Sequence, residues 1–305
     1  MSKQIHPLGG VYAAAVTPLK ADFSPDLDAI PTLLDFYARR GCHGALLLGT
    51  TGEGPSFSPG EREAIWQAGI KVREEHPEFR LLAGTGTPSL EETISLNKTA
   101  FDLGFDGVVV LPPFYFRNAS EEGLFVWFSE VINASVPKGR LLLGYHFPSV
   151  CGVPLPIPLL SRLRDTFPDK FGGLKDSSGD LPNALALVKE LDDRLVLVGS
   201  DRLMSDALEA GASGCITALA NLASPILRQI WEAHTKGEKA ETAQGKIDEA
   251  RAVTDQYRPF PASVKGLLAM LHDFPHWPVK PPLMPFSEEE LEQAANELFG
   301  ILNDR

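Results

Sequence analysis

Eight short apolar runs alternate with helix patterns along this chain, and this repeat is the feature that most limits how it can fold. Runs of this kind, without polar alternation, are typical of strands buried on both faces of a parallel sheet. The predicted strands are Val11–Val16, Ala45–Leu48, Leu81–Gly84, Gly107–Leu111, Leu141–Tyr145, Phe171–Lys175, Leu195–Gly199 and Gly214–Thr217. Eight βα units favour a closed (β/α)8 barrel of the α/β class, the TIM barrel, over an open doubly wound sheet.

The helix patterns support the same division of the chain. A helix is predicted at Leu27–Arg40, and Ser58-Pro59-Gly60-Glu61 is a capping box with proline at the first helical position. From about residue 225 the strand signal disappears, and helical stretches continue on both sides of a proline-rich break at Phe274–Pro285. We therefore predict a barrel over residues 1–224 and a C-terminal helical extension over residues 225–305 that packs on it.

Composition excludes several classes of partner. The formal net charge is -12 and Lys and Arg form no long block, which argues against nucleic acid or an anionic membrane as the main partner. No apolar run reaches membrane-spanning length, and Met1–His6 has no signal-peptide core. The three cysteines, Cys42, Cys151 and Cys215, are far apart and form no CxxC pair. We expect a cytoplasmic protein without a disulfide framework.

Lys175 is the residue from which a chemical function is predicted. It ends the apolar run Phe171–Lys175, and the polar residues Asp176–Asp180 follow at once. In (β/α)8 barrels the catalytic groups lie at the carboxyl ends of the strands. A buried amine can be uncharged, and an uncharged amine attacks a ketone to form an imine. The alternative is a surface lysine at the edge of a loop.

Two other strand ends have polar groups. The loop Gly49–Gly54, with Thr50 and Thr51, offers consecutive backbone amides and hydroxyls for a small anion such as a carboxylate, or is a glycine-rich turn without a ligand. Tyr145 either transfers a proton or only packs. We predict that His146 is structural, since strand alternation points it away from Tyr145. No second His or Cys at ligand spacing accompanies it, so no metal site is predicted.

Together these groups suit chemistry on a 2-oxo acid. Lys175 would bind the ketone carbon as an iminium, and the Gly49–Gly54 loop would bind the adjacent carboxylate. An iminium is an electron sink, so a carbanion or enamine forms at C3. The hydroxyl groups would transfer the proton of the alcohol that is broken or formed.

Six segments give the chain a family resemblance. They are Val16-Thr17-Pro18, Gly49-Thr50-Thr51-Gly52-Glu53, Ala83-Gly84-Thr85-Gly86, Tyr145 with Pro148 and Gly152, Gly173-Leu174-Lys175-Asp176, and Gly214 to Asn221. In their order and spacing the chain resembles the dihydrodipicolinate synthase / N-acetylneuraminate lyase family of class I aldolases, which form or use pyruvate. The resemblance covers Gly10 to Asn221, and the helical tail fits it. It implies that neither a metal nor an organic cofactor is needed.

The resemblance also implies roles for individual residues. Lys175 matches the Schiff-base lysine, and Tyr145 matches the tyrosine that relays protons and helps to position the carboxylate. Thr50 matches the relay threonine, and Thr51 matches the threonine that binds the carboxylate, beside Gly49 in the same loop.

The remaining family positions concern the pocket wall and the assembly. Ile216 matches a residue that lines the pyruvate pocket. Tyr115 resembles the tyrosine that reaches into a neighbouring subunit's site, although the loop around it is one residue longer here. Members of the family are usually homotetramers built from tight dimers, which is the expected assembly.

One departure from the family pattern bears on the substrate. Val150 stands where dihydrodipicolinate synthases have an arginine that receives the carboxylate of the aldehyde substrate, and valine cannot make that charged contact. The sialic-acid lyases and the 2-keto-3-deoxy-sugar-acid aldolases also lack this arginine, and they bind the polyol after strands 6 and 7. The corresponding residues here are Ser177, Gly199, Ser200 and Asp201. Arg202 either supplies a positive charge for a distant carboxylate or faces solvent.

These observations predict a class I aldolase that cleaves or makes a 2-keto-3-deoxy acid, with pyruvate as product or donor. One alternative keeps the imine but changes the reaction to sugar-acid dehydration or dihydrodipicolinate synthesis. Another is a catalytically silent barrel that binds 2-oxo acids as a sensor. Because Ser177, Ser200 and Asp201 offer hydrogen bonds without positive charge, we expect hydroxylated aldehydes to react better than aspartate semialdehyde.

Overall fold

A computed structural model describes residues 6–303. Eight parallel strands form a closed barrel in which each strand pairs with the next and the last pairs with the first. The strands are β1 Gly10–Ala14, β2 Gly44–Leu47, β3 Arg80–Gly84, β4 Gly107–Val110, β5 Leu141–His146, β6 Phe171–Asp176, β7 Leu195–Val198 and β8 Gly214–Thr217. Each predicted strand overlaps one of these, so the prediction of a (β/α)8 barrel is confirmed.

Twelve α-helices lie within the described residues. They are α1 Ala29–Arg39, α2 Pro59–Ile70, α3 Leu90–Asp102, α4 Glu121–Ser135, α5 Pro148–Cys151, α6 Ile157–Thr166, α7 Leu181–Leu191, α8 Met204–Glu209, α9 Ala220–Lys236, α10 Glu241–Thr254, α11 Phe260–His272 and α12 Glu288–Leu302. The predicted capping box at Ser58 is confirmed, because its side chain accepts from the Glu61 N–H while the Glu61 carboxylate accepts from the Ser58 N–H.

Strand alternation divides the barrel into two packing layers. Along β1, Tyr12 and Ala14 point into the barrel, whereas Val11 and Ala13 point outward against the helices. The inner layer is a cluster of buried side chains that includes Tyr145 and Ile216. Because these two residues lie near the carboxyl ends of β5 and β8, the inner layer ends at the mouth of the barrel.

Helix α9 connects the barrel with the C-terminal helices. It packs on β1 and β8 and has a non-helical residue, Ala223, two positions before Pro225. The predicted division between residues 224 and 225 lies inside this helix, and the division into two parts stays a prediction. Helix α10 packs on α9, on α12 and on the short helical turn Asp201–Leu203, which brings the C-terminal helices to the strand-7 end of the barrel.

The described residues, 6–303, contain no helix that is both long enough and apolar enough to cross a membrane. The same part of the chain has no group of three or more His, Cys, Asp or Glu placed to hold a metal ion. All three cysteines are buried free thiols, in agreement with the expectation from their spacing.

Candidate active site

A cavity of about 460 Å³ opens at the carboxyl ends of the strands. Its wall includes Thr50 after β2, Lys175 at the end of β6 and Ile216 in β8. Small-molecule sites typically enclose ~300–1,000 Å³. The cavity therefore has room for pyruvate together with a second group, at the end of the barrel where the fold places catalytic residues.

Lys175 and Tyr145 are the central pair of this cavity. They are register partners on the neighbouring strands β5 and β6, so both side chains point into the barrel. The Lys175 Nζ donates to the Tyr145 Oη at 3.1 Å and lies 4.2 Å from the centroid of its ring. Each residue is 3% exposed. The prediction of a buried lysine, rather than one at a loop surface, is confirmed.

The threonines of the Gly49–Gly54 loop complete this group. The half-buried Thr50 hydroxyl lies 3.3 Å from the Tyr145 Oη, and the buried Thr51 lines the same cavity. An unbroken series of polar atoms therefore runs from the Lys175 amine through the Tyr145 phenol to Thr50. This is the arrangement that proton transfer through hydroxyl groups requires.

The shape of this loop depends on the C-terminal helices. Glu53 adopts a left-handed backbone conformation, with φ of 56°. Its fully buried carboxylate accepts from the Lys265 ammonium in α11 and from the Lys280 backbone N–H. The Lys265 ammonium also donates to the Pro278 carbonyl at 2.7 Å. Burial lowers the pKa of Lys265, while the adjacent Glu53 opposes that change. A buried ion pair thus joins the loop to α11.

Two of the predicted polyol-binding residues, Ser177 and Gly199, line the cavity together. A Cβ atom at Gly199 would lie 2.0 Å from the Ser177 Oγ, so only glycine leaves space for that hydroxyl. The Gly199 N–H also donates to the Asp176 carbonyl at 2.6 Å, which ties the ends of β6 and β7 together. Ser200 lines the cavity beside them.

Gly49 and Tyr115 are predicted site residues that do not line the main cavity. Gly49 lines a small adjacent cavity behind the loop, together with Thr50 and Tyr145. Tyr115 is 75% exposed and stacks edge-on against Phe116, which is exposed as well. Two exposed aromatic side chains on one loop are typical of an interaction surface. The contribution of Tyr115 to a neighbouring subunit's site stays a prediction.

Asp201 is not one of the residues that line the cavity, which corrects its assignment as a direct substrate ligand. Its side chain is fully buried, and Oδ1 accepts from the Arg251 Nη1 at 2.9 Å. Burial raises the pKa of Asp201, although the guanidinium of Arg251 opposes that change. The polar residue after β7 therefore positions an arginine of α10.

Two arginines, Arg251 and Arg258, line the cavity and were missed by the sequence reasoning. Both come from the C-terminal helical part, Arg251 from α10 and Arg258 from the connection to α11. Val150 lines the same cavity, so two guanidinium groups stand in the region where the sequence analysis named only uncharged hydrogen-bonding groups and Asp201. The sequence signal was the charged segment at the end of α10, which precedes Pro259-Phe260-Pro261.

Arg202 is not among the cavity-lining residues. It is 44% exposed, and its Nη2 lies 3.2 Å from Asp255 Oδ2. Of the two alternatives for Arg202, the solvent-facing side chain is the one that the structure supports. The positive charge at the cavity is supplied from a different element.

His146 lies on the opposite face of β5 from Tyr145, as predicted. Its Nδ1 accepts from the Leu155 N–H at 3.0 Å, and burial lowers its pKa, opposed by the charge of Asp176. This hydrogen bond links β5 to the segment that leads into α6. His146 therefore has a structural contact outside the barrel interior.

Comparison with known proteins agrees with this fold and this set of residues. The family model described as the dihydrodipicolinate synthetase family matches residues 7–299. A protein of Chloroflexus aurantiacus described as an uncharacterized DapA-like lyase is 36% identical over 285 residues, 92% of this chain and 93% of its own length. A 4-hydroxy-tetrahydrodipicolinate synthase of Moorella thermoacetica is 31% identical over 296 residues, 95% of this chain and 97% of its own.

A solved structure extends the comparison to three dimensions. YagE, a prophage protein of E. coli K12 from the dihydrodipicolinic acid synthase family, was crystallised in complex with pyruvate. It superposes on this chain with a TM-score of 0.90 at 25% identity, covering 96% of this chain and 98% of its own. The chain belongs to the dihydrodipicolinate synthetase family.

Proposed function

We propose that the protein is a class I aldolase or lyase that forms a Schiff base between Lys175 and a 2-oxo acid. Its substrate is a 2-keto-3-deoxy acid, cleaved to or condensed from pyruvate and an aldehyde. The observation that supports this most is the series Lys175, Tyr145 and Thr50, which begins with two buried side chains and in which neighbouring polar atoms are 3.1 and 3.3 Å apart. A crystal structure of the relative YagE with pyruvate supports the choice of 2-oxo acid.

In the cleavage direction, the Lys175 amine attacks the C2 carbonyl carbon, and loss of water from the carbinolamine leaves an iminium. Tyr145 gives its proton to the hydroxyl that leaves the carbinolamine as water, and the resulting phenolate, through Thr50, takes the proton of the C4 hydroxyl. The C3–C4 bond then breaks, its electron pair enters the iminium to give an enamine, and the aldehyde leaves. Protonation at C3 and hydrolysis of the imine release pyruvate and restore the amine.

The carboxylate of the 2-oxo acid is bound beside Thr51, on the loop held by Glu53. Negative charge on the substrate suits this cavity, because none of the described residues that line it is an Asp or Glu. Hydrogen bonds that fix the carboxylate orient C2 toward the amine and lower the entropic cost of the attack.

Borohydride reduction in the presence of pyruvate tests this proposal. One pyruvate-derived mass should be added to the peptide that contains Lys175, and Lys175→Ala should lose the label and nearly all activity. Trapping on a different lysine while Lys175→Arg remains active would reject the proposal. A protein that binds 2-oxo acids without trapping would be the catalytically silent sensor.

Dihydrodipicolinate synthesis is the second candidate. Relatives with that name support it, and Arg251 and Arg258 restore positive charge to a cavity in which Val150 replaces the family's arginine. Condensation of pyruvate with aspartate semialdehyde, measured as kcat/KM against glyceraldehyde, distinguishes the two reactions.

A homotetramer built from dimers is the assembly that we propose, with Tyr115 at a subunit contact. The exposed pair Tyr115 and Phe116 supports an interface at this loop. Light scattering of the wild type and of Tyr115→Ser tests it. An active monomeric wild type would remove the case for a site shared between subunits. The measurement is needed because one solved family member is described as a monomeric dihydrodipicolinate synthase variant.

A further inference from the structure

The C-terminal helical part gives the cavity a charged wall, which we call the arginine wall and define as Arg251 and Arg258. Both side chains line the cavity together with Lys175. No Asp or Glu among the described residues lines it, in a chain whose formal net charge is -12. A local excess of positive charge in so acidic a protein indicates an anionic ligand.

The arginine wall belongs to a cluster of ion pairs whose carboxylates do not line the cavity. Arg251 donates to Asp201 at 2.9 Å and to Asp255 at 2.7 Å, Arg258 donates to Asp255 at 2.7 Å, and Arg202 lies 3.2 Å from Asp255. Three guanidinium groups therefore share the two carboxylates of Asp201 and Asp255, and of these five groups only Arg251 and Arg258 line the cavity. Neither Asp201 nor Asp255 lines the cavity.

Both arginines of the wall pack against the ring of Phe260. The guanidinium carbons of Arg251 and Arg258 each lie 4.9 Å from the centroid of the Phe260 ring, which also lines the cavity. The Arg251 side chain is 11% exposed and the Arg258 side chain is 59% exposed. A guanidinium has five N–H donors, so the bond from the Arg258 Nη2 to Asp255 leaves donors for a further acceptor.

We propose that the arginine wall binds a second anionic group, a carboxylate or a phosphate, at the end of the substrate remote from the imine. This inference rests on the proposed function, because it names the class of aldehyde. Lys175 lies on β6 beside Tyr145 and the arginines lie in the helical part, so a substrate bound in this cavity can form the imine with one group and contact the arginines with another. The aldehyde half is anionic, and the hydroxylated neutral aldehydes favoured by the sequence are poorer substrates.

Three aldehydes test this inference in condensation with pyruvate: neutral glyceraldehyde, glyceraldehyde 3-phosphate, and succinate semialdehyde with its carboxylate. We expect the wild-type kcat/KM to be about tenfold or more higher for at least one anionic aldehyde than for glyceraldehyde. A charged hydrogen bond is worth ~1.5–3 kcal/mol, so Arg258→Gln should lower kcat/KM about 10–100-fold for that anion and less than about threefold for glyceraldehyde. Preference for the phosphate or for the carboxylate identifies which anion is bound.

Arg202→Gln is the matched control, since Arg202 belongs to the same ion-pair cluster but does not line the cavity. It should leave the preference for the anion unchanged, and Arg258→Lys should restore part of what Arg258→Gln loses. A wild type that prefers glyceraldehyde, or an Arg258→Gln variant that loses activity equally on all three aldehydes, would overturn the inference. Arg251 is not substituted, because its loss would leave the buried Asp201 without its cation.

Two further measurements distinguish a failure of the imine proposal from a failure of the arginine-wall proposal. Borohydride trapping with pyruvate should be the same in wild type and Arg258→Gln, and its failure in wild type rejects the imine rather than the arginine wall. Calorimetric titration then tests the wall without carbon–carbon bond formation, using 2-oxoglutarate and 2-oxopentanoate, which have the same number of carbons and the same 2-oxo acid group. The wild type should bind 2-oxoglutarate more tightly, and Arg258→Gln should remove that difference; equal affinities in the wild type would overturn the inference.

Discussion

The ion pair between Glu53 and Lys265 gives the sharpest test of how the C-terminal helices support the site. Both side chains are at most 1% exposed. Glu53 belongs to the loop with Thr50 and Thr51, and Lys265 belongs to α11. We expect Lys265→Met to destabilise the fold and to lower kcat in the protein that remains folded, because the loop loses its attachment.

The expected loss of unfolding free energy follows from the burial of Glu53 and Lys265. Lys265→Met removes the cation and leaves the Glu53 carboxylate with the N–H of Lys280 as its remaining donor within residues 6–303. Removing one partner of a buried pair typically costs ~3–5 kcal/mol in the free energy of unfolding. Replacing both charges avoids an unpaired buried ion, so Glu53→Gln combined with Lys265→Met should cost less than the two single changes added together.

Urea denaturation at a fixed protein concentration, followed by circular dichroism, measures these differences. Lys239→Met is the matched control, since Lys239 pairs with Glu241 on the surface, where both side chains are at least 75% exposed. Its effect should lie within experimental error. A loss below ~1 kcal/mol for Lys265→Met, or simple additivity in the double variant, would refute the reasoning, since a buried pair cannot then hold the loop.

Two other predictions concern proton transfer and pH. Tyr145→Phe removes the hydroxyl between Lys175 and Thr50 and keeps the ring, so kcat should fall about 10²–10⁴-fold with an unchanged circular dichroism spectrum; turnover near wild type would place the proton path elsewhere. Burial, helped by Arg228 and Arg80, lowers the pKa of His43 from 6.5 to about 4. The unfolded chain therefore binds a proton that the folded chain excludes, and stability falls as the pH drops from about 6.5 toward 4. His43→Asn, whose amide oxygen can replace the Nδ1 that accepts from the Val11 N–H, should lose less stability over this range. Urea titrations at pH 6.5 and at about pH 4 measure this, and an equal loss of unfolding free energy in wild type and His43→Asn would contradict the prediction.

The barrel was predictable from sequence because its strands are buried on both faces. Continuous apolar runs, such as Gly107–Val110 in β4, identify such strands without any tertiary information. The meeting of Tyr145 and Lys175 was predictable for a related reason, since strand ends in a parallel barrel converge on one mouth. Alternation then determined that Tyr145 points inward and His146 outward.

The arginine wall was not predictable in this way. Arg251 and Arg258 lie at the end of a helix and in the connection after it, where periodicity states only that a charged residue is exposed or paired. Their place at the cavity results from the packing of α10 on the Asp201–Leu203 turn, which is a contact between distant parts of the chain. Asp201 was misassigned for the same reason, because its partner is fifty residues away.

The order of these parts along the chain has a consequence for changing specificity. The groups assigned to the imine all precede α9, whereas the two arginines proposed to bind the far end of the substrate follow α10 or end it. We therefore expect that exchanging the connection from Asp255 to Pro261 between family members changes the preferred aldehyde while the carbon–carbon chemistry of the barrel stays intact. Variation among such enzymes in what they cleave would then be concentrated in one short segment.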